Sequence, residues 1–159
     1  MNDDIEERMA KLRQAGERLI KEVGWYVQSV APVAGEEGCA FNYSVGLYDK
    51  GLPEILVLGL PLQVGHELIN DVARYLIAQK AMGSKLAGEV RLPRWPTSFV
   101  LLAADPAQVG EYAYCAVSRS QGAAQFLQIV WPDKEGRFPW AHGATDSFRA
   151  AQPVLATVN

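Results

Sequence analysis

Cysteine and histidine are scarce in this chain, with two of each among 159 residues. Cys39 and Cys115 lie far apart, each flanked by apolar or aromatic residues. With no closely spaced cysteine pair, neither a zinc ligand set nor a disulfide framework is legible, and both are expected as buried, reduced thiols. His66 and His142 do not form the i, i+4 helical pair of a metalloprotease, so they are only weak metal candidates, with Glu54 or Asp133 as conceivable co-ligands. An excess of basic charge is also lacking: 15 Lys and Arg stand against 18 Asp and Glu, a formal net charge of -3. Nucleic-acid binding, which draws on a basic excess to displace counterions, is therefore not expected. The longest apolar run, around Ile55 to Leu62, is too short for a bilayer and is broken by Gly59 and Pro61. Met1 to Glu7 is polar and acidic, unlike a secretory leader, and a cytoplasmic location is the expectation.

What is present is ordinary globular material, 49% hydrophobic and 21% charged, enough for one compact domain over residues 1–159. Residues 3–23 predict an amphipathic N-terminal helix with Ile5, Met9, Leu12, Leu19 and Val23 on one stripe, interrupted by Gly16 and ended by Gly24. Strands are expected at Trp25–Val30, Cys39–Leu47 and Glu54–Leu60, with a polar turn at Val33–Gly38 and a medium loop at Tyr48–Pro53. Pro61 suits the opening of a second helix over 62–81, with Gly83 just beyond its end. Leu86–Leu92 reads as a weak strand and Thr97–Ala103 as a strong one. Asp105 as cap, Pro106 at the first helical position and the stripe Val109, Tyr112, Ala113, Ala116, Val117 predict a third helix ending before Gly122. Phe126–Trp131 is the last strand, and residues 132–159 read as an irregular segment packed on the core. The fold class is α+β: an antiparallel or mixed sheet with flanking helices, expected on one face.

Candidate site residues come from three places. Asn42-Tyr43-Ser44-Val45-Gly46 alternates polar and apolar positions, so Asn42 and Ser44 share one face of a strand. Glu54 opens an apolar strand after Pro53, where it would cap a turn, pair with a cation or face a pocket. Gln128, Trp131, Asp133, Arg137 and Trp140 lie in an aromatic-rich stretch that would pin the C-terminal segment or wall a pocket for a small, flat ligand. Ser44 lacks the strand-to-helix elbow that exposes a nucleophilic serine.

The blocks Phe41–Leu47, Leu52–Pro61, Leu127–Asp133 and Gly136–Trp140, with Gln152-Pro153-Val154-Leu155 as a closing motif, resemble a bacterial family known as domain of unknown function 4262. That family often carries Tyr-Thr where this chain has Asn42-Tyr43-Ser44, and Ser44 supplies the corresponding hydroxyl. The resemblance marks the blocks to examine and implies no catalytic residue.

The leading functional expectation is a small-ligand-binding or accessory domain, its pocket enclosed by the Asn42–Gly46 strand, the Pro53-Glu54 turn and the Trp131–Trp140 segment. The alternatives are a flavin-dependent oxidoreductase with a split-barrel-like fold, a hydrolase that is cofactor-free or metal-dependent, and a protein-interaction domain. No cofactor is specified. A small molecule and a homodimer partner through the N-terminal helix are the partner expectations, with Glu54→Gln expected to spare the fold and Trp140→Ala to destabilise it if the indole is buried.

Overall fold

Among the described residues the chain forms six strands, and those with the most continuous apolar character take the centre. The computed structural model describes residues 2–35 and 38–156, so Glu36 and Glu37 of the expected Val33–Gly38 turn, and residues 157–159 of the C-terminal segment, lie outside the described residues. The elements are α1 (Asn2–Glu22), β1 (Tyr26–Val30), β2 (Phe41–Val45), β3 (Glu54–Leu58), α2 (Leu62–Ala81), β4 (Gly88–Arg91), β5 (Ser98–Ala103), α3 (Pro106–Val109), α4 (Tyr114–Arg119), β6 (Phe126–Val130) and α5 (Asp146–Ala151), with a 3-10 turn at Leu47–Lys50. The sheet order is β1-β2-β3-β6-β5-β4. All neighbours are antiparallel except β3 and β6, which run parallel with Glu54 opposite Phe126 and Leu56 opposite Gln128. The fold is thus a mixed α+β domain made of two antiparallel meanders joined by one parallel pair.

Helices cover both faces of this sheet, not one. The reason is legible in β3 and β6, every residue of which is buried. A parallel central pair needs cover above and below, because neither face has the polar alternation that tolerates water. On one face, Leu68, Ile69, Val72 and Leu76 of α2 pack on Ile55, Val57, Leu101 and Ile129. On the other, Val109, Ala113 and Ala116 of the α3–α4 region, with Leu155, pack on Tyr43, Val45, Leu56 and Phe126. The predicted third helix is two short ones. Asp105 caps α3 as expected, its carboxylate accepting from Ala107 N–H, but the helix stops at Val109 and a second begins only at Tyr114. Neither cysteine is the fully buried thiol expected: Cys39 is half-buried, and Cys115 is exposed because α4 buries its neighbour Ala116 instead.

α2 approaches the sheet unusually closely at its first turn. Gly65 lies against Asn42, and a Cβ at that position would run into the Asn42 amide oxygen. Asn42 donates from Nδ2 to Ser29 Oγ (2.7 Å) and to Leu62 O (3.1 Å), tying β1, β2 and α2 together. Further along the same helix, Asp71 accepts from Arg94 and from the Trp95 indole (2.8 Å), anchoring the loop after β4.

The C-terminal segment is not wholly irregular. Thr145 caps α5 by accepting from Phe148 N–H, and two buried glutamines hold the chain beyond that helix. Gln128 donates to Pro153 O and accepts from Leu155 N–H, both at 2.7 Å. Gln152 and the Trp131 backbone exchange two bonds of 2.8 Å, so a side-chain amide mimics a strand bridge. α1 makes far less contact. Gly16 packs under the Tyr26 ring and Ile20 is half-buried, while Asn2–Glu22 otherwise projects beyond the body. Arg119 of α4 clamps its last turns by bonding Glu17 and Asp49 at once.

Candidate functional site

The polar residues of the first strand pair meet in the interior. Ser44 donates from Oγ to Glu54 Oε1 (2.8 Å) and accepts from Ile55 N–H (2.9 Å). Glu54 in turn accepts from the backbone N–H of Gly46 (2.8 Å), Leu47 (3.0 Å) and, at greater length, Tyr48 (3.4 Å). These are the donors that a 3-10 turn beginning at Leu47 leaves without intrahelical partners, so a strand carboxylate supplies the cap from outside. Gly46 permits the geometry: its φ is 118°, and a Cβ there would meet Ile20 and the Gly24 and Trp25 backbone. Burial pushes the Glu54 carboxyl above its ordinary value, and the N–H groups and the Ser44 hydroxyl pull against that shift. Asn42, Ser44, Glu54 and Gln128 are all buried, with nothing of Asn42, Ser44 or Gln128 reaching solvent. Ser44 spends its hydroxyl on Glu54 and Ile55, which leaves no arrangement of an exposed nucleophile with a base. The hydrolase reading through Ser44 has no geometric support.

Trp131, Asp133, Arg137 and Trp140 lie at the opposite end of the central strands. β3 and β6 start together at Glu54 and Phe126 and end together at Leu58 and Val130. The expected single pocket spanning Glu54 and Trp140 is therefore not assembled, because a parallel pair puts the strand starts and the strand ends on opposite rims. Trp131 anchors: its indole donates to Leu58 O (2.8 Å) and packs edge-on against Phe148. Asp133 accepts from Glu135 N–H, Arg137 N–H and Arg137 Nε, so the pair closes the turn over 133–137. The backbone N–H of Arg137 is the main cause holding the Asp133 carboxyl below its ordinary value. Trp140 is not the buried pin that the sequence suggested, being 53% exposed.

Trp140 instead stacks on Phe138, rings 5.2 Å apart and 6° from parallel, and walls a groove of about 290 Å³ with Pro139, Arg149, Gln152 and Val154. The groove is almost entirely apolar, and Arg149 is among the residues that line it. Arg149 is oriented by bonds from Nε to Pro139 O (2.8 Å) and from its terminal nitrogens to Asp146 and Ala141 O. Arg149, Gln152, Pro139 and Val154 were not among the sequence candidates. The Thr145-Asp146 cap is the signal that would have placed Arg149 on a helix facing the tail.

His66 is half-buried on α2 and His142 is exposed in the loop after Trp140. Among the described residues no group of three His, Cys, Asp or Glu side chains gathers to hold a metal. Nor does the sheet close into the barrel that the flavin reading required, since β1 and β4 remain at open edges.

Residues 19–145 match the model of the family described as Domain of unknown function (DUF4262). The chain belongs to this family. The DUF4262 match takes in the Ser44–Glu54 cap and the Phe138–Trp140 stack, and it ends before Arg149 and the Gln152–Leu155 block. No curated protein matched the chain, and no solved structure matched it. No described helix is long and apolar enough to cross a membrane.

Proposed function

We propose that the domain binds a small, planar molecule in the groove walled by Trp140. The observation that carries this reading is the exposed indole itself, held flat by Phe138 beside an apolar floor to which Arg149 contributes. An aromatic ring kept in place by stacking offers a large contact face at little entropic cost, and Arg149 beside the groove, already paired with Asp146, adds a positive charge that suits a ligand with a carboxylate. The volume of about 290 Å³ suits a one- or two-ring molecule rather than a dinucleotide. The buried Asn42, Ser44, Glu54 and Gln128 act as the framework that holds the two ends of the sheet, outside the binding surface.

Ligand-observed NMR with a set of planar aromatic carboxylates tests the reading. Wild type should show contact with one or more members, and Trp140→Ala should abolish it with the far-ultraviolet circular dichroism unchanged. Because the indole is largely exposed, the same variant should lose no more than about 0.5 kcal/mol of stability. Binding that survives Trp140→Ala intact would place the ligand elsewhere.

A further inference from the structure

Ile5, Met9, Leu12, Gly16, Leu19 and Val23 follow one another along α1 in alternating steps of four and three residues, the spacing of a coiled-coil seam. Among the described residues, the body of the domain meets this seam at Gly16, against Tyr26, and beside it at Ile20. Ile5, Met9 and Leu12 stay uncovered, Leu12 being 67% exposed. The family match starts at residue 19, so this overhang lies ahead of the matched region. It is a helical arm with an apolar stripe that the other described residues leave uncovered.

The charges beside the stripe say what fits it. The arm opens with Asp3, Asp4, Glu6 and Glu7 and turns basic further on, with Arg13, Arg18 and Lys21. With Ile5 and Leu12 at d positions and Met9 at a, Glu6 and Arg13 are e positions and Arg8 is a g position. In an antiparallel pair, e faces e, so Glu6 of each copy meets Arg13 of the other, twice over. In a parallel pair, g faces the e of the next heptad, which would set Arg8 against Arg13. The antiparallel arrangement also places Met9 against Leu12 in both central layers. An anionic membrane surface suits the arm poorly, because its acidic opening would be repelled there.

We infer that the overhanging half of α1 is a self-association arm, pairing antiparallel with the same segment of a second copy. The pair is short, a 21-residue helix being about 31 Å long with only its first half free, so association is concentration-dependent.

Sedimentation velocity of the full chain over a roughly hundredfold dilution series reads the equilibrium. Wild type should pass from dimer to monomer. Glu6→Arg should be monomeric across the series, since each contact then sets two arginines together, and Arg13→Glu should be monomeric because it sets two glutamates together. Mixing the two variants should restore the dimer, because one cross-pairing then joins arginine to glutamate at every e contact it retains. Wild type that remains monomeric throughout overturns the inference. So does an Arg13→Glu variant that dimerises more strongly than wild type, the result a parallel pair gives.

Discussion

A buried carboxylate among backbone donors is the residue around which the first meander is organised. Glu54 takes three N–H groups at the start of the 3-10 turn and one hydroxyl from Ser44, and the Ser44 oxygen then satisfies Ile55 N–H. Glu54→Gln turns one acceptor oxygen into an NH2 that must face backbone donors. The variant should lose about 1–3 kcal/mol in chemical denaturation. The pH dependence has a definite sign. Burial raises the Glu54 carboxyl in the folded state above its ordinary value, so the native protein holds this proton more tightly than the unfolded chain. Its contribution is fully present below the unfolded value and declines as pH rises through the folded one. The stability gap between wild type and Glu54→Gln should therefore narrow from acid toward neutral pH and then level off. A gap that widens with pH would mean that the four donors outweigh burial. That Asn42, Ser44 and Glu54 interrupt apolar runs was legible in the sequence. Whether they faced solvent or one another was not, because strand alternation assigns faces and cannot say what covers them.

At the scale of elements, α2 was the most legible, bounded by Pro61 and followed by Gly83, with a stripe that packs as its spacing predicts. The region after Asp105 was less so. Its cap was visible, but the chain leaves helical geometry between Val109 and Tyr114 even though the apolar spacing continues, and α3 and α4 bury Val109, Ala113 and Ala116 without forming one rod. α5 was missed because its six residues carry no buried stripe and only the Thr145 cap announces it. The contact between α2 and β2 depends on the absence of one carbon. Gly65→Ala would thrust a methyl group into the Asn42 amide, which is already committed to Ser29 and Leu62. The helix must lift or Asn42 must turn away, and thermal or chemical denaturation should register a loss of about 1–3 kcal/mol. An unchanged or raised stability would show that α2 has slack at its first turn.

Over the whole molecule, two antiparallel meanders meet at a parallel seam, and this one feature decides both the layering and the location of the groove. It demands helices on both faces, and it carries the Ser44–Glu54 cluster to one rim and the Trp131–Trp140 segment to the other. Adjacent strands without intervening helices suggested cover on one face only, since the parallel seam pairs strands far apart in the chain and leaves no local mark. The α+β class was legible from element order, and the aromatic cluster stood out by its density, but Arg149, Gln152 and Val154, which complete its groove, lie beyond the family match. The proposed binding groove therefore lies at one rim and the buried Ser44–Glu54 cluster at the other. Two-dimensional ¹H–¹⁵N NMR of the labelled protein, titrated with planar aromatic carboxylates, tests this placement most directly. Shifts should be confined to the Trp140 indole N–H, Arg149 and Gln152, with the amides of Ser44, Gly46 and Leu47 unmoved; shifts centred on Ser44 through Tyr48 with Trp140 unaffected would overturn the proposed site.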